Sequence, residues 1–239
     1  MRSIRLILVS PKYSGNVGAC ARVASNFDVR DIAVIQPRCA IHDEQAQLYG
    51  KGPSREFLMG MNVYDSLQEA VADCHQVIAI TRRHGTLSPK EIFLPELRIT
   101  DNGQRTTAIV FGREDYCLTR EELYLCTHYC QIPTSDIMPT MNLSHAVSVV
   151  LSRLYTDLSV DRKDNSGETT SNECVTTQEF EDLMKHWEQT MRDVDLTRGG
   201  DPEKMIKRIR RAMQRSELRV KEMAQLRRFL SKVQNRLRA

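Results

Sequence analysis

The chain has 239 residues, of which 41% are hydrophobic and 27% are charged, and its formal net charge is +3. This length suits one large domain, or a medium domain plus a small one, and the apolar content is sufficient for a packed core. The charge is too small to indicate a nucleic-acid partner by itself. The seven cysteines are odd in number and form no Cys-x-x-Cys pair, which argues against a zinc site and predicts free thiols in a reducing cytoplasm.

The first two thirds of the chain alternate between apolar runs that predict buried strands and segments that predict helices. The predicted strands are residues 4–9, 31–36, 76–81, 106–111 and 129–132. The predicted helices are residues 17–26, 43–50, 66–74, 118–126 and 142–155. The first strand is too short to span a membrane. Thr119, with Glu122 three residues later, predicts a capping box. The alternation favours an α/β fold with a parallel sheet, whose ligands bind beyond the carboxyl ends of the strands.

The last third of the chain has a different composition. Residues 157–175 are polar and poor in large apolar side chains, which is typical of a linker. Helices are predicted after it over residues 176–194, 203–215 and 217–237. Trp187 is expected to lie in the core of this small all-α region. The sequence therefore predicts an α/β domain over residues 1–156 and a helical domain over residues 176–239.

Positive charge is concentrated at the C-terminal end. Residues 203–239 contain thirteen lysines and arginines against three glutamates. A solvated helix face could explain such a run, but an excess of this size favours contact with the phosphate backbone of a nucleic acid. The candidate RNA-contacting residues are Arg208, Arg210 and Arg211. A DNA-binding helix-turn-helix is a further alternative, although these helices lack the short glycine-containing turn expected of one.

Three short segments follow or end predicted strands and carry small or polar residues. They are Asn16-Val17-Gly18-Ala19-Cys20-Ala21-Arg22, Ile109-Val110-Phe111-Gly112-Arg113-Glu114, and Ile132-Pro133 followed by Thr140-Met141-Asn142-Leu143. Together, and in this order, they resemble the signature of the SPOUT superfamily of RNA methyltransferases. Within that superfamily the chain is most similar to the SpoU/TrmH-type ribose 2'-O-methyltransferases of the TrmJ type. The resemblance covers residues 4–156 and, more loosely, residues 176–237.

The resemblance implies a fold and a cofactor. In this family the C-terminal part of the α/β domain is threaded into a trefoil knot, the enzymes are homodimers, and S-adenosyl-L-methionine binds in the knot. No G-x-G-x-G turn follows the first strand, which agrees with a cofactor site elsewhere in the sheet. The resemblance places that site at residues Ile80, Thr81, Arg82, Gly112, Ile132, Pro133, Thr140, Met141 and Leu143. A glycine at position 112 would let the chain approach the cofactor closely.

The resemblance also implies a catalytic set. Its members are Arg22, Asn16, Glu114, Thr140 and Asn142. The family proposal makes Arg22 the base for the ribose hydroxyl, whereas a guanidinium almost never deprotonates in a protein. Arg22 could instead hold the phosphate and the 2'-oxygen, with a bidentate pair to Glu114 orienting it. Asn16 and Asn142 could each also cap the helix that follows them.

Two residues depart from the family pattern. Thr140 stands where family members usually have serine, and Cys117 stands where they usually have glycine, which would be strained if φ is positive there. The main prediction is S-adenosyl-L-methionine-dependent 2'-O-methylation of tRNA on the 5' side of the anticodon loop, at nucleotide 32. The alternatives are a catalytically impaired RNA-binding protein and an rRNA 2'-O-methyltransferase.

Overall fold

The computed structural model describes residues 1, 3–82, 90–99, 105–164, 174–194, 201–215 and 218–237. The chain divides into two compact units, Met1–Gly167 and Glu168–Ala239. The first unit holds a sheet and its covering helices, and the described part of the second unit is mostly helical. The predicted α/β class followed by a helical region is confirmed.

The first unit is built on a seven-stranded sheet. Its strands are β1 (Ile4–Val9), β2 (Asp31–Ile35), β3 (Asn62–Tyr64), β4 (Gln76–Ile80), β5 (Lys90–Phe93), β6 (Thr107–Phe111) and β7 (His128–Gln131). Their order across the sheet is β3-β2-β1-β6-β4-β7-β5. Every neighbouring pair is parallel, with register such as Leu6 opposite Ile109 and Ile109 opposite Ile78. Because all strands run the same way, their carboxyl ends meet at one edge.

Helices cover both faces of this sheet. They are α1 (Ser14–Asn26), α2 (Glu44–Tyr49), α3 (Ser54–Met59), α4 (Leu67–Ala70), α5 (Arg120–Leu125) and α6 (Leu143–Asp164), with a short 3-10 helix at Leu94–Glu96. Side chains alternate along each strand: Leu6 and Leu8 face the core formed with α1, α2, α3 and α6, and Ile7 and Val9 face the core formed with α4 and α5. This two-sided burial explains why strands β1, β2, β4 and β6 consist mostly of apolar residues.

The structure corrects several predicted boundaries. Strands β3 and β5 and helix α3 were not predicted. The two strands lie at the sheet edges, and β3 is short and half exposed, so neither reads as a buried apolar run. Helix α6 extends to Asp164 rather than ending at residue 155. Its extra turns are polar and were interpreted as the start of the linker. Residues 165–173 of that predicted linker lie outside the described residues.

The second unit packs around a small apolar cluster. Its helices are α7 (Thr177–Asp193), α8 (Pro202–Arg215) and α9 (Val220–Leu237). Val175, Leu183, Met223 and Leu230 form the buried cluster, and Trp187 packs against it, as expected. Thr176 caps α7 in a capping box with Glu179.

Candidate active site

Four neighbouring strands bring the signature segments to one edge of the sheet. The order β1-β6-β4-β7 places the ends of these strands side by side. The segment after β1 forms α1, the loop after β6 contains Glu114, and the loop after β7 leads into α6. Segments that are far apart in sequence therefore meet where ligands of parallel sheets bind.

A hydrogen-bond network joins the three segments. The side-chain amide of Asn16 donates to Glu114 Oε1 at 2.9 Å. The backbone N–H of Lys12 donates to the other oxygen, Glu114 Oε2, at 3.0 Å. The amide of Asn142 donates to Asn16 Oδ1 at 3.0 Å. One carboxylate and two carboxamides thus link the ends of β1 and β6 to the start of α6.

The two asparagines have different roles from each other. Asn142 caps α6, as expected, because its Oδ1 accepts from the backbone N–H of Ser144 at 2.9 Å. Asn16 does not cap α1, since that helix begins at Ser14 and Tyr13 occupies the cap position without a side-chain bond. The Asn16 side chain instead forms hydrogen bonds with the side chains of Glu114 and Asn142.

Arg22 lies apart from this network within one chain and does not bond to Glu114 there, so the expected pair between them stays a prediction. The Glu114 carboxylate accepts from Asn16 and the Lys12 backbone instead. Arg22 is six residues beyond Asn16 on α1, which corresponds to about 9 Å of rise and a rotation of about 240°. Its side chain is exposed. Arg22 therefore faces away from the Glu114 carboxylate of its own chain.

The residues predicted for the cofactor surround the ends of β4 and β7. Thr81 is buried, and its N–H donates to the Cys130 carbonyl at 3.0 Å, which continues the β4–β7 pairing. The Arg82 guanidinium donates to Thr134 Oγ1 at 3.1 Å and to the Pro139 carbonyl at 3.0 Å. Arg82 therefore ties the loop after β7 to the end of β4, a contact that gives this arginine a structural role.

The loop between β7 and α6 presents apolar side chains to solvent. Ile137 is 95% exposed and Met138 is 69% exposed, and Met141 is also exposed. Thr140 is exposed between them, whereas Leu143 is buried under the helix it begins. Ile132 is half-buried against the core, as is Ile80, and Pro133 is exposed.

Gly112 is required by the packing of its own loop. A Cβ at this position would lie 2.4 Å from the backbone carbon of Cys117 and 2.7 Å from the backbone nitrogen of Leu118. This glycine therefore permits a close approach within the chain, and its predicted approach to a cofactor stays a prediction. Cys117 has φ +62°. A cysteine is strained in this conformation, whereas the glycine that family members usually have at this position would not be.

Two ion pairs hold the loop of residues 113–117, and the sequence interpretation missed both. Arg113 pairs with Glu122 in two bonds of 2.7 and 2.9 Å. Arg38 pairs with Asp115 in two bonds of 2.8 and 3.0 Å. The hydrogen bonds from Arg38 lower the pKa of Asp115 to about 2. Only the capping box of Thr119 and Glu122 was predicted, and it is confirmed.

The three arginines proposed for RNA contact differ in exposure. Arg208 on α8 is exposed, and Arg211 is half-buried. Arg210 pairs with Glu181 of α7 through both guanidinium NH groups, and their side chains are only 12% and 13% exposed. Arg210 thus joins α7 to α8 rather than facing solvent. Helix α9 adds an exposed basic face that was not singled out, formed by Lys221, Arg228, Lys232 and Arg236.

Within the described ranges, no three or more His, Cys, Asp or Glu side chains converge in a way that could hold a metal ion. None of the described helices combines the length and apolarity needed to cross a membrane.

The parallel sheet and the order of the strand-end segments agree with an RNA methyltransferase of the SpoU class, which comparison with known families identifies. Residues 3–152 match the model of the SpoU rRNA Methylase family, and residues 178–239 match the C-terminal domain of tRNA methyltransferase TrmJ. The chain belongs to the SpoU rRNA Methylase family and is a methyltransferase of that family, with a TrmJ-type C-terminal domain.

Individual relatives agree with this assignment. A tRNA (cytidine-2'-O-)-methyltransferase TrmJ of Methanocaldococcus jannaschii is 38% identical over 64% of this chain and 67% of its own length. A tRNA (cytidine/uridine/adenosine-2'-O-)-methyltransferase TrmJ of Pseudomonas aeruginosa is 31% identical over 97% of this chain and 93% of its own. The crystal structure of TrmJ from Z. mobilis ZM4 shares the fold, with a TM-score of 0.77, 23% identity, and coverage of 98% and 99%. Membership of this family speaks against the DNA-binding alternative.

Proposed function

We propose that this protein transfers a methyl group from S-adenosyl-L-methionine to a ribose 2'-hydroxyl of tRNA, at nucleotide 32 on the 5' side of the anticodon loop, in the cytoplasm. The observation that carries this proposal is the Asn142–Asn16–Glu114 network at the carboxyl edge of the sheet. It assembles the residues that the family signature groups together, although they come from three distant segments. The named activities of the TrmJ relatives support the choice of a tRNA ribose.

The strand-end loops fit the proposed cofactor. Exposed Ile137, Met138 and Met141 offer apolar surface against which a purine can pack. Arg82 stabilises the same loop from the end of β4. When bound, S-adenosyl-L-methionine supplies an electrophilic methyl group. The trefoil knot, in which the family holds its cofactor, is part of this proposal and would involve the β7–α6 loop.

Positioning of the hydroxyl is assigned to the network and to Arg22. Methyl transfer needs in-line attack, so orientation dominates the rate. Glu114, fixed by Asn16 and the Lys12 backbone, keeps the ends of β1 and β6 in register. A guanidinium is a poor proton acceptor, so Arg22 does not serve as the base. Arg22 instead holds the phosphate and the 2'-oxygen of the ribose. Water or a phosphate oxygen takes the proton.

A homodimer accounts for the exposed position of Arg22. The family resemblance implies that Arg22 of one subunit reaches the cofactor of the other, and the position of Arg22 away from Glu114 in its own chain supports this assignment. Helices α1 and α6, which pack against each other through the core, would form the isologous interface. Exposed Val149 and Tyr155 on α6 supply apolar surface for it.

Methyl incorporation tests the proposed function directly. Purified protein and methyl-labelled S-adenosyl-L-methionine should label a tRNA transcript. The same transcript with a 2'-deoxyribose at nucleotide 32 is the matched control and should stay unlabelled. Label in ribosomal RNA alone would favour the rRNA alternative. RNA binding without label in any RNA would favour the catalytically impaired alternative, in which Thr140 and Cys117 are the changes responsible.

A further inference from the structure

Arg38 contacts two of the strand ends that form the site. It lies just after β2, and its Nε donates to the carbonyl of Ser10, at the end of β1, at 3.1 Å. Both of its NH groups bind Asp115 in the loop after β6, at 2.8 and 3.0 Å. The guanidinium also lies 5.7 Å from the ring centroid of Tyr116. One side chain thus bridges the two segments whose relative position sets the network.

The same two segments are joined a second time through Glu114. Its carboxylate accepts from the Lys12 backbone N–H and from Asn16. Glu114 is adjacent to Asp115 in sequence, and Lys12 is two residues beyond Ser10. A shift of the 113–117 loop relative to the end of β1 would therefore lengthen the Glu114 bonds as well as the Arg38 bonds.

We infer that Arg38 is a positioning residue for methyl transfer, which holds the 113–117 loop in the conformation that lets Glu114 bind Asn16. This inference rests on the proposed function. It assigns no contact with substrate or cofactor to Arg38, which acts through Asp115 and Glu114.

The loop has a particular need for such support. Cys117 adopts φ +62°, a conformation that costs energy for any residue with a Cβ. The loop is closed by paired backbone bonds of 3.1 Å between Arg113 and Cys117, and Glu122 holds Arg113 from one side. Arg38 holds Asp115 from the other side. Without Arg38 the strained turn can relax, and Glu114 moves with it.

The Arg38–Asp115 pair is partly exposed, with side chains 33% and 38% accessible. Ion pairs of this exposure contribute little to global stability. The loss of Arg38 should therefore affect turnover far more than the melting temperature. A purely structural role would produce the opposite pattern.

The experiment compares Arg38→Ala with Arg30→Ala in the full-length protein. Arg30 is a matched control, because it is also an arginine held by carboxylates, those of Asp28 and Glu56, and also lies over an aromatic ring, that of Phe57. Arg38→Ala should lower kcat roughly ten- to a hundredfold, in line with the cost of a small misplacement at a reacting centre. KM for tRNA and the Kd of S-adenosyl-L-methionine should change less than about twofold if only orientation is lost. Arg30→Ala should leave all three unchanged.

A second readout does not depend on activity. The side-chain amide signals of Asn16, assigned in NMR spectra with Asn16→Ala, report its bond to Glu114. They should shift in Arg38→Ala and not in Arg30→Ala. Arg38→Lys, which keeps the charge but not the bidentate geometry, should recover part of both effects, and it serves in place of Arg38→Ala if that variant fails to fold.

Three results would overturn the inference: unchanged kcat in the Arg38 variants, unmoved Asn16 signals, or equal losses in Arg30→Ala. If the wild-type protein transfers no methyl group, the proposed function fails, and the Asn16 signals still decide whether Arg38 positions the network.

Discussion

The sequence motif identifies Arg22, but only the structure shows on which side of α1 its side chain lies. The signature singles it out, yet in one chain it lies on the exposed side of α1, away from the carboxylate expected to orient it. Its role in the proposal is therefore contact with RNA at a second subunit's cofactor. That role is testable without any assumption about proton transfer.

Arg22→Ala should abolish methyl transfer while leaving the affinity for S-adenosyl-L-methionine nearly unchanged. Arg22 follows β1, whereas the cofactor loops follow β4, β6 and β7, so the loss concerns transition-state stabilisation. Arg22→Lys should restore little, because a point charge does not replace a planar fork. Single-turnover kinetics and cofactor titration measure both effects, with exposed Arg55→Ala as the control. Near-normal turnover in Arg22→Ala would reduce Arg22 to a surface charge.

Cys117→Gly should stabilise the protein. Glycine adopts φ +62° without the Cβ clash, and relief of that clash is worth about 1 kcal/mol in the free energy of unfolding. Chemical denaturation of the first unit, followed by far-ultraviolet circular dichroism, measures the change. Cys39→Gly, at a position without positive φ, should not stabilise. A decrease in stability for Cys117→Gly would mean that the thiol makes a more valuable contact than the strain it causes.

At the scale of the elements, hydrogen bonds decide how helices begin and how they pair. Asn142 and Thr119 act as caps where the sequence places them, but Asn16 is drawn away from capping by two tertiary partners. In the second unit, α7 and α8 are joined by Arg210 and Glu181. This ion pair gives Arg210 a structural role, which distinguishes it from the exposed arginine Arg208 on the same helix.

Arg210→Ala should destabilise the second unit by about 3 kcal/mol, because it leaves the Glu181 carboxylate in a mostly buried position without its cation. Arg208→Ala, two residues earlier on α8 and exposed, should cost less than about 0.5 kcal/mol. The single tryptophan, Trp187, lies against the core of this unit, so its fluorescence during denaturation reports the change. Equal effects of the two substitutions would contradict the structural role of Arg210.

At the scale of the molecule, each unit has its own task in the proposal. The first unit holds the network and the cofactor loops, and the second carries the excess of positive charge. The basic face of α9 is exposed along its length, with Lys221, Arg228, Lys232 and Arg236. We therefore expect it to contribute to tRNA affinity and not to the chemical step.

Charge reversal of Arg228 and Lys232 to Glu should weaken tRNA binding and reduce its salt dependence. Each lost phosphate contact should lower the slope of log K against log salt by roughly 0.7 to 0.9. Binding titrations at several salt concentrations measure the slope, and cofactor affinity should stay constant. Exposed Lys185→Glu on α7 is the control. An unchanged slope would identify the α9 face as a solvated surface.

Subunit complementation tests the proposed dimer. Heterodimers of an Arg22→Ala chain with an Asn142→Ala chain should regain part of the activity that each parent lacks, because one of the two sites then has Arg22 and Asn142 intact. Activity measured after co-expression and tagged purification decides this. If the heterodimers stay inactive while remaining associated, each site is built from one chain.

The sequence by itself determined the elements with strong local or periodic signals. Strands β1, β2, β4 and β6 are mostly apolar runs, β7 is a short segment with a buried centre, and the capping box of α5 depends on Thr119 and Glu122, so these features were predicted. Edge strands β3 and β5 have no such pattern, because they are stabilised by one neighbour each and not by burial on both faces. The end of α6 was interpreted as a linker because its residues are polar and lack an apolar helical pattern.

In the candidate site, too, the sequence identified some residues, and the tertiary structure decided which of them bind each other. Motif residues such as Asn16, Glu114 and Asn142 were identified from sequence because the segments that contain them resemble the family signature. Only the tertiary structure decided their partners: Glu114 binds Asn16 and the Lys12 backbone in place of Arg22. Arg38 carries no local signal, since its partner Asp115 is distant in sequence. Long-range pairs of this kind depend on strand order, which places β1 between β2 and β6 and which composition and periodicity do not encode.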